Sequence, residues 1–229
     1  MTWREEAKRR AALEAVKHVE DGFIVGLGSG STAAYVIKEI GRRMLQEGLQ
    51  VLGVPSSSQA MMLALQSGIP LTSLDENPVL DLDIDGADQI DKQLNLIKGG
   101  GGALTREKIV ASASKQFVVV ADETKLVEKL GTDYRVPVEV LPFSLATATA
   151  AIKKLDGKPV LRESKGKVGA VVTDNGNYIV DVDFGPITDA EELNRRIKLI
   201  PGVIETGLFV GMADLVYLGK ADGVTKLEK

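Results

Sequence analysis

The first 125 residues alternate short apolar runs with stretches of helical periodicity, and that alternation leaves few folds open to the chain. The runs are Phe23–Val25, Val51–Val54, Leu80–Asp85 and Phe117–Ala121. Each is short and rich in Val, Ile, Leu or Phe, as a strand requires. Between them, Trp3–Val19, Ala33–Glu47, a segment ending at Leu65 and Arg106–Ser114 carry the apolar spacing of helices. Parallel strands need a long crossover, and a helix supplies one, so the pattern predicts an α/β unit with a largely parallel sheet. In the third helical segment, which Pro55-Ser56-Ser57-Ser58 is expected to cap, the stripe Met61, Met62 and Leu65 is expected to be core.

After Gly131 the pattern changes. Strand-like Val136–Leu141 precedes helical Ser144–Leu155, then strands near Val160, at Val168–Val172 and at Tyr178–Val182. A helix over Ala190–Lys198 and a strand over Val203–Thr206 follow, which together read as a small α+β module with a mixed or antiparallel sheet. Asp174-Asn175-Gly176-Asn177 is a hairpin signal, since Asn-Gly accepts the positive φ of a type I′ turn. The apolar Ala213–Leu218 is expected to rejoin the first sheet. The expected division is therefore an α/β domain of residues 1–130 plus 207–229, with residues 131–206 as the smaller domain.

Composition removes several kinds of chemistry. The chain has no cysteine and a single histidine, His18, so thiol catalysis, disulfides and the usual zinc ligand sets are excluded. His18 lies in the first helical segment, where a structural or surface role is expected. A net charge of −4 argues against a nucleic-acid or membrane-surface partner. No apolar run is long enough for a signal peptide or transmembrane helix, and the expected location is the cytoplasm.

Four polar clusters follow the predicted strands, and ligands of open α/β sheets sit beyond the carboxyl ends of strands. The first is Gly26-Leu27-Gly28-Ser29-Gly30-Ser31-Thr32, at a strand–loop–helix junction suited to an anion. It is not a dinucleotide fingerprint, because Ser31 stands where the third glycine should be, and no Gly-Lys-Ser/Thr makes it a P-loop. A phosphate cradle or a structural turn remains. The second cluster is Asp85-Gly86-Ala87-Asp88, whose paired carboxylates suit acid–base work, sugar hydroxyls or a metal. The third is Lys98-Gly99-Gly100-Gly101-Gly102 leading to Glu107. Four consecutive glycines carry a large entropic cost and contribute no packing, so they fit a place where the backbone takes positive φ or approaches another group closely. A carboxylate and an ammonium flanking such a run can move a proton next to a carbonyl and stabilise the oxygen that becomes negative. Lys125, in Asp122-Glu123-Thr124-Lys125, is a candidate second clamp on phosphate.

Taken together, Gly28-Ser29-Gly30-Ser31-Thr32-Ala33, Asp85-Gly86-Ala87-Asp88, Lys98 through Glu107 and Ala121-Asp122 with Lys125 closely resemble the type A ribose-5-phosphate isomerases. Downstream Gly207-Leu208-Phe209 and the small module fit as well, so the resemblance covers nearly the whole chain. Ser29 stands where threonine is frequent and Gly102 where alanine is common. The resemblance implies a Rossmann-like, largely parallel sheet flanked by helices, with a second, smaller α+β (ferredoxin-like) domain. It implies an aldose–ketose isomerase acting on D-ribose 5-phosphate and D-ribulose 5-phosphate through an enediolate, with Glu107 as the base and Asp85 assisting ring opening. Lys98, Gly99, Gly100 and Gly101 would stabilise the enediolate oxygens. Ser29, Gly30, Ser31, Thr32, Asp85, Gly86, Ala87, Asp88 and Lys125 would hold the sugar phosphate. No metal or organic cofactor belongs to this chemistry, and a homodimer or homotetramer is expected. Two other readings stay open on the residues alone: a non-catalytic sugar-phosphate-binding regulatory module, and an acyl-CoA transferase using a glutamate nucleophile.

Overall fold

The computed structural model describes residues 2–164, 166 and 168–229. In chain order its elements begin α1 (Trp3–Val16), β1 (Ile24–Leu27), α2 (Gly30–Glu47), β2 (Leu52–Pro55), α3 (Ser58–Gln66) and β3 (Leu82–Gly86). There follow β4 (Gln89–Ile90), β5 (Leu96–Ile97), α4 (Leu104–Ala113), β6 (Phe117–Asp122), β7 (Val136–Val140), α5 (Leu145–Lys153) and β8 (Lys158–Leu161). The last are β9 (Tyr178–Asp183), α6 (Ala190–Lys198), β10 (Val203–Thr206), β11 (Leu208–Phe209), β12 (Leu215–Gly219) and β13 (Val224–Glu228). No helix among the described residues is long and apolar enough to cross a membrane. The chain divides into two compact units, one of Met1–Ala87, Arg106–Lys125 and Met212–Lys229, the other of Asp88–Thr105 and Leu126–Gly211.

The first unit is built on a six-stranded sheet in the order β13-β12-β6-β3-β1-β2. All neighbours run parallel except the edge strand β13, which returns antiparallel beside β12. Strand β6 reads as a near-continuous apolar run because helices cover it, and all six of its residues are buried. Helix α1 starts at a capping box, with Glu5 N–H donating to Thr2 Oγ1 and Thr2 N–H to Glu5 Oε2. It packs on α2, β6 and β12, burying Ala7, Ala11, Ala12, Ala15 and Val16. His18 has the structural role expected of it, its Nε2 lying 2.8 Å from the Tyr217 hydroxyl.

Two sequence expectations change in this unit. Helix α2 begins at Gly30, so Gly30, Ser31 and Thr32 form its first turn and are not loop residues. Met61, Met62 and Leu65 are exposed, while Ala60 and Ala64 are the buried residues of α3. Periodicity alone could not choose between two apolar faces, and the alanine face wins because small side chains let α3 lie close against α2.

The second unit contains a four-stranded antiparallel sheet, order β10-β7-β9-β8, with α5 and α6 as its crossovers. Numbered from β7, that is a βαββαβ chain in the order 4-1-3-2, the ferredoxin-like arrangement. Its core is Val136, Val138 and Val140 of β7, Val180 and Val182 of β9, Ala148 and Ile152 of α5, and Ile197 of α6. A separate small sheet, β11-β5-β4, is also antiparallel. The expected strand at Val168–Val172 is absent, and only the bridges Glu163–Ala170 and Val172–Tyr178 mark it. Gly169 takes φ +106°, outside the extended range of a strand, and breaks the run. The Asn-Gly turn also differs from expectation. Gly176 alone takes positive φ, +79°, and its N–H donates to Thr173 C=O, as in a type I turn closed by a left-handed glycine.

Candidate active site

In the first unit, β1 leads through α2 to β2 on one side, while β3 lies on the other side of β1, next to β6. The chain therefore parts at the carboxyl ends of β1 and β3, the switch point where open α/β sheets bind ligands. Asp85, at the end of β3, is 1% exposed, and its Oδ1 accepts from Ser29 N–H at 2.9 Å and Gly86 N–H at 2.6 Å. Asp85 thus pins the turn that carries β1 into α2.

Ser29 is the N-cap residue of α2, yet its side chain does not cap the helix. Its Oγ donates to Ser57 Oγ at 2.6 Å and lies 2.9 Å from Ser56 Oγ, so its single proton is turned toward β2. Gly30 N–H donates to Gln59 Oε1 at 2.8 Å, and Lys8 Nζ stands 3.0 Å from Ser31 Oγ. The first turn of an 18-residue helix with an ammonium beside it is an anion-attracting place. Lys8 and Gln59 were not singled out in the sequence, while Ser56 and Ser57 were expected only to cap α3, as Ser57 does by accepting from Ala60 N–H. Lys125 closes a single 3-10 turn after β6 and is half-buried, with no hydrogen bond or ion pair to Ser29–Thr32 among the described residues.

Glu107 is buried in the first turn of α4. The register of that helix follows from two contacts. Ser114, just past its end, bridges Leu80, ahead of β3. Val110 sits so close over β1 that a Cβ on Gly26 would be 2.5 Å from its Cγ1. Helix α4 therefore runs toward the amino ends of the strands. Three residues earlier, about 4.5 Å up the helix, Glu107 is displaced from Val110 toward the carboxyl ends of the strands.

In the second unit, Lys98 is buried, with its Nζ 5.5 Å from the centre of the Phe209 ring, a cation–π contact. Its N–H donates to Gly207 C=O across the β11 side of the small sheet. Asp88 Oδ2 accepts from Gly100 N–H at 2.7 Å. Tyr134 also bonds to Asp88, and burial, then the Asp88 charge, push its phenol well above the usual range. Thr105, two residues before Glu107, donates to Glu139 Oε2 at 2.6 Å. Glu139 is fully buried and also accepts from Thr173, Asn175 and Asn177. A carboxylate with so many neutral donors is satisfied without a counter-charge. Among the described residues, no group of three or more His, Asp or Glu side chains could hold a metal ion.

Residues 52–223 match the family of ribose 5-phosphate isomerase A, also called phosphoriboisomerase A. The chain belongs to that family. It is 53% identical to ribose-5-phosphate isomerase A of Methanosarcina acetivorans, over 96% of this chain and 93% of that one. Its identity to ribose-5-phosphate isomerase A of Methanothermobacter thermautotrophicus is 50%, over 95% of each. Among solved structures, ribose 5-phosphate isomerase A of Methanocaldococcus jannaschii is 48% identical with a TM-score of 0.95, covering 98% of this chain and 99% of that one. A D-ribose-5-phosphate isomerase in complex with phospho-erythronic acid is 43% identical with a TM-score of 0.97, covering all of both chains.

Proposed function

We propose that this protein is an isomerase that interconverts D-ribose 5-phosphate and D-ribulose 5-phosphate through an enediolate. The observation that carries the reading is the full-length likeness to an isomerase that holds phospho-erythronic acid, a four-carbon phosphorylated acid. Its carboxylate has the planar pair of oxygens that an enediolate presents.

Glu107 acts as the base: it takes the proton from C2 of the open-chain aldose and returns it to C1. The sugar C–H is a weak acid, so much of the barrier falls to the groups that stabilise the developing oxyanion. Lys98 and the amides of the glycine run at Gly99 and Gly101 take that role, the Gly100 amide being held by Asp88. Asp85 assists ring opening, and Asp88 binds sugar hydroxyls. The phosphate is assigned to Ser29, Gly30, Ser31 and Thr32 with Lys125. Support for the loop assignment comes from the uncapped start of α2 and from Lys8 beside Ser31. Phosphate held there supplies binding energy that positions the reacting carbons.

The test is turnover of ribose 5-phosphate by wild type and Glu107→Gln, each with EDTA present. Wild type is expected to turn over, and the variant to be slower by about 10²–10⁴-fold. Inactive wild type would sink the isomerase reading, and undiminished turnover in the variant would remove Glu107 as the base.

A further inference from the structure

A run of four glycines has no side chains to hold its peptide planes, yet aligned amide donors stabilise an oxyanion only if they are fixed beforehand. In this chain the fixing comes from a side chain more than sixty positions away. Arg162, just after β8, donates from Nη1 to Gly99 C=O at 2.9 Å and to Gly100 C=O at 3.1 Å. Its other nitrogens fork onto Asp181 of β9, Nε to Oδ2 at 2.8 Å and Nη2 to Oδ1. Both side chains of this pair are largely buried, and the fork holds the guanidinium plane in one orientation.

The consequence follows from peptide geometry. No cis bond occurs among the described residues, so each C=O points opposite to the N–H of its own peptide. With Gly99 C=O drawn to Arg162, Gly100 N–H points the other way, where Asp88 Oδ2 receives it at 2.7 Å. With Gly100 C=O drawn to the same nitrogen, Gly101 N–H also points away from Arg162. Gly102 N–H closes the turn on Gly99 C=O at 3.0 Å. Gly101 itself is exposed, and its N–H makes no hydrogen bond among the described residues.

We propose that Arg162, oriented by Asp181, is a positioning residue that fixes the peptide planes of the glycine run and so aims the Gly101 amide at the oxygen that becomes negative in the enediolate. The inference rests on the isomerase reading above. Arginine suits the task where lysine does not, because one planar group must serve two carbonyls and a carboxylate at once.

The experiment compares wild type with Arg162→Met, Arg162→Lys and Asp181→Asn. It measures kcat and KM for ribose 5-phosphate, and inhibition by phospho-erythronic acid and by inorganic phosphate. Arg162→Met is expected to lower kcat by about 10²–10³-fold with KM within about threefold, as when one oxyanion donor is lost. Phospho-erythronic acid should weaken in step with kcat while inorganic phosphate is unchanged, a split that loss of general structure would not give. Arg162→Lys and Asp181→Asn should show the same split at smaller amplitude, and they decide the matter if Arg162→Met does not fold. Wild-type kcat in the variants overturns the inference. So does a loss confined to KM, or equal weakening of both inhibitors. Inactive wild type would instead overturn the isomerase reading itself.

Discussion

The two glycine loops of this chain are held in place by opposite means. The loop at Gly28–Gly30 is short and lies between a strand and a helix, so secondary structure sets most of its geometry. Asp85, on the neighbouring strand, ties it down through Ser29 N–H. Gly28 is glycine there because a Cβ would fall 2.2 Å from Asp85 Oδ1 and 2.5 Å from Asp85 Cα. The run at Gly99–Gly102 has no such frame. Gly99 and Gly102 take left-handed φ values of +102° and +85°, and the peptides between them are held from outside by Arg162 and Asp88. One loop is fixed by neighbours in the sheet, the other by side chains from distant segments. The first should therefore be intolerant of any added atom, and the second should respond to changes in its clamps.

Gly28→Ala tests the first half of that contrast and should have the largest effect. The clash is with backbone as well as side chain, so a destabilisation of about 1–3 kcal/mol is expected, with turnover down by more than about tenfold. Urea midpoints at constant m measure the first quantity. A variant of wild-type stability would show that Asp85 does not hold this turn rigidly.

Gly100→Ala should cost less, about 1 kcal/mol, because its Cβ would meet side-chain tips, Tyr134 Oη at 2.7 Å and Asp88 Oδ1 at 2.8 Å. Removing the hydroxyl with Tyr134→Phe should recover part of that loss. The double mutant would then be more stable than the sum of the single changes allows. Strict additivity would mean that Tyr134 does not confine the run.

The smallest effect concerns the other carboxylate with which β3's chain segment holds β1. Asp81 accepts from Ile24 N–H at 2.9 Å and pairs with Lys115 at 2.7 Å. The Ile24 amide first, and Lys115 second, hold its pKa below the ordinary value. A carboxyl depressed in the folded state adds stability above its unfolded pKa, near 4, and loses it as pH falls through the lower folded value. Asp81→Asn should therefore be less stable than wild type at pH 7 by under about 1 kcal/mol, discounted for solvent screening. The gap should close toward pH 3, and a gap that does not change with pH would contradict the assignment.

Much of this was legible in the residues. The alternation of runs and periodic segments gave the parallel sheet, and the change of pattern after Gly131 gave the second, antiparallel one. The four polar clusters lie at or just past strands, as expected, and Ser29 and Asp85 are neighbours although 56 positions separate them. Other features were beyond its reach. Nothing local marks Arg162 or Asp181 as holding a glycine run, or Lys8 as standing at Ser31. Met61, Met62 and Leu65 looked like core because apolar spacing names a face without saying what covers it.

The sequence by itself determined where strands and helices form and which peptides can adopt left-handed or crowded conformations, since those depend on neighbours along the chain. Only the tertiary structure decided which carboxylate holds which amide, which way the Ser29 proton turns and what aligns the glycine run. Those are pairings between distant segments, and hydrogen-bond and steric energies change steeply over less than 1 Å, roughly the scale that separates a bond from a gap.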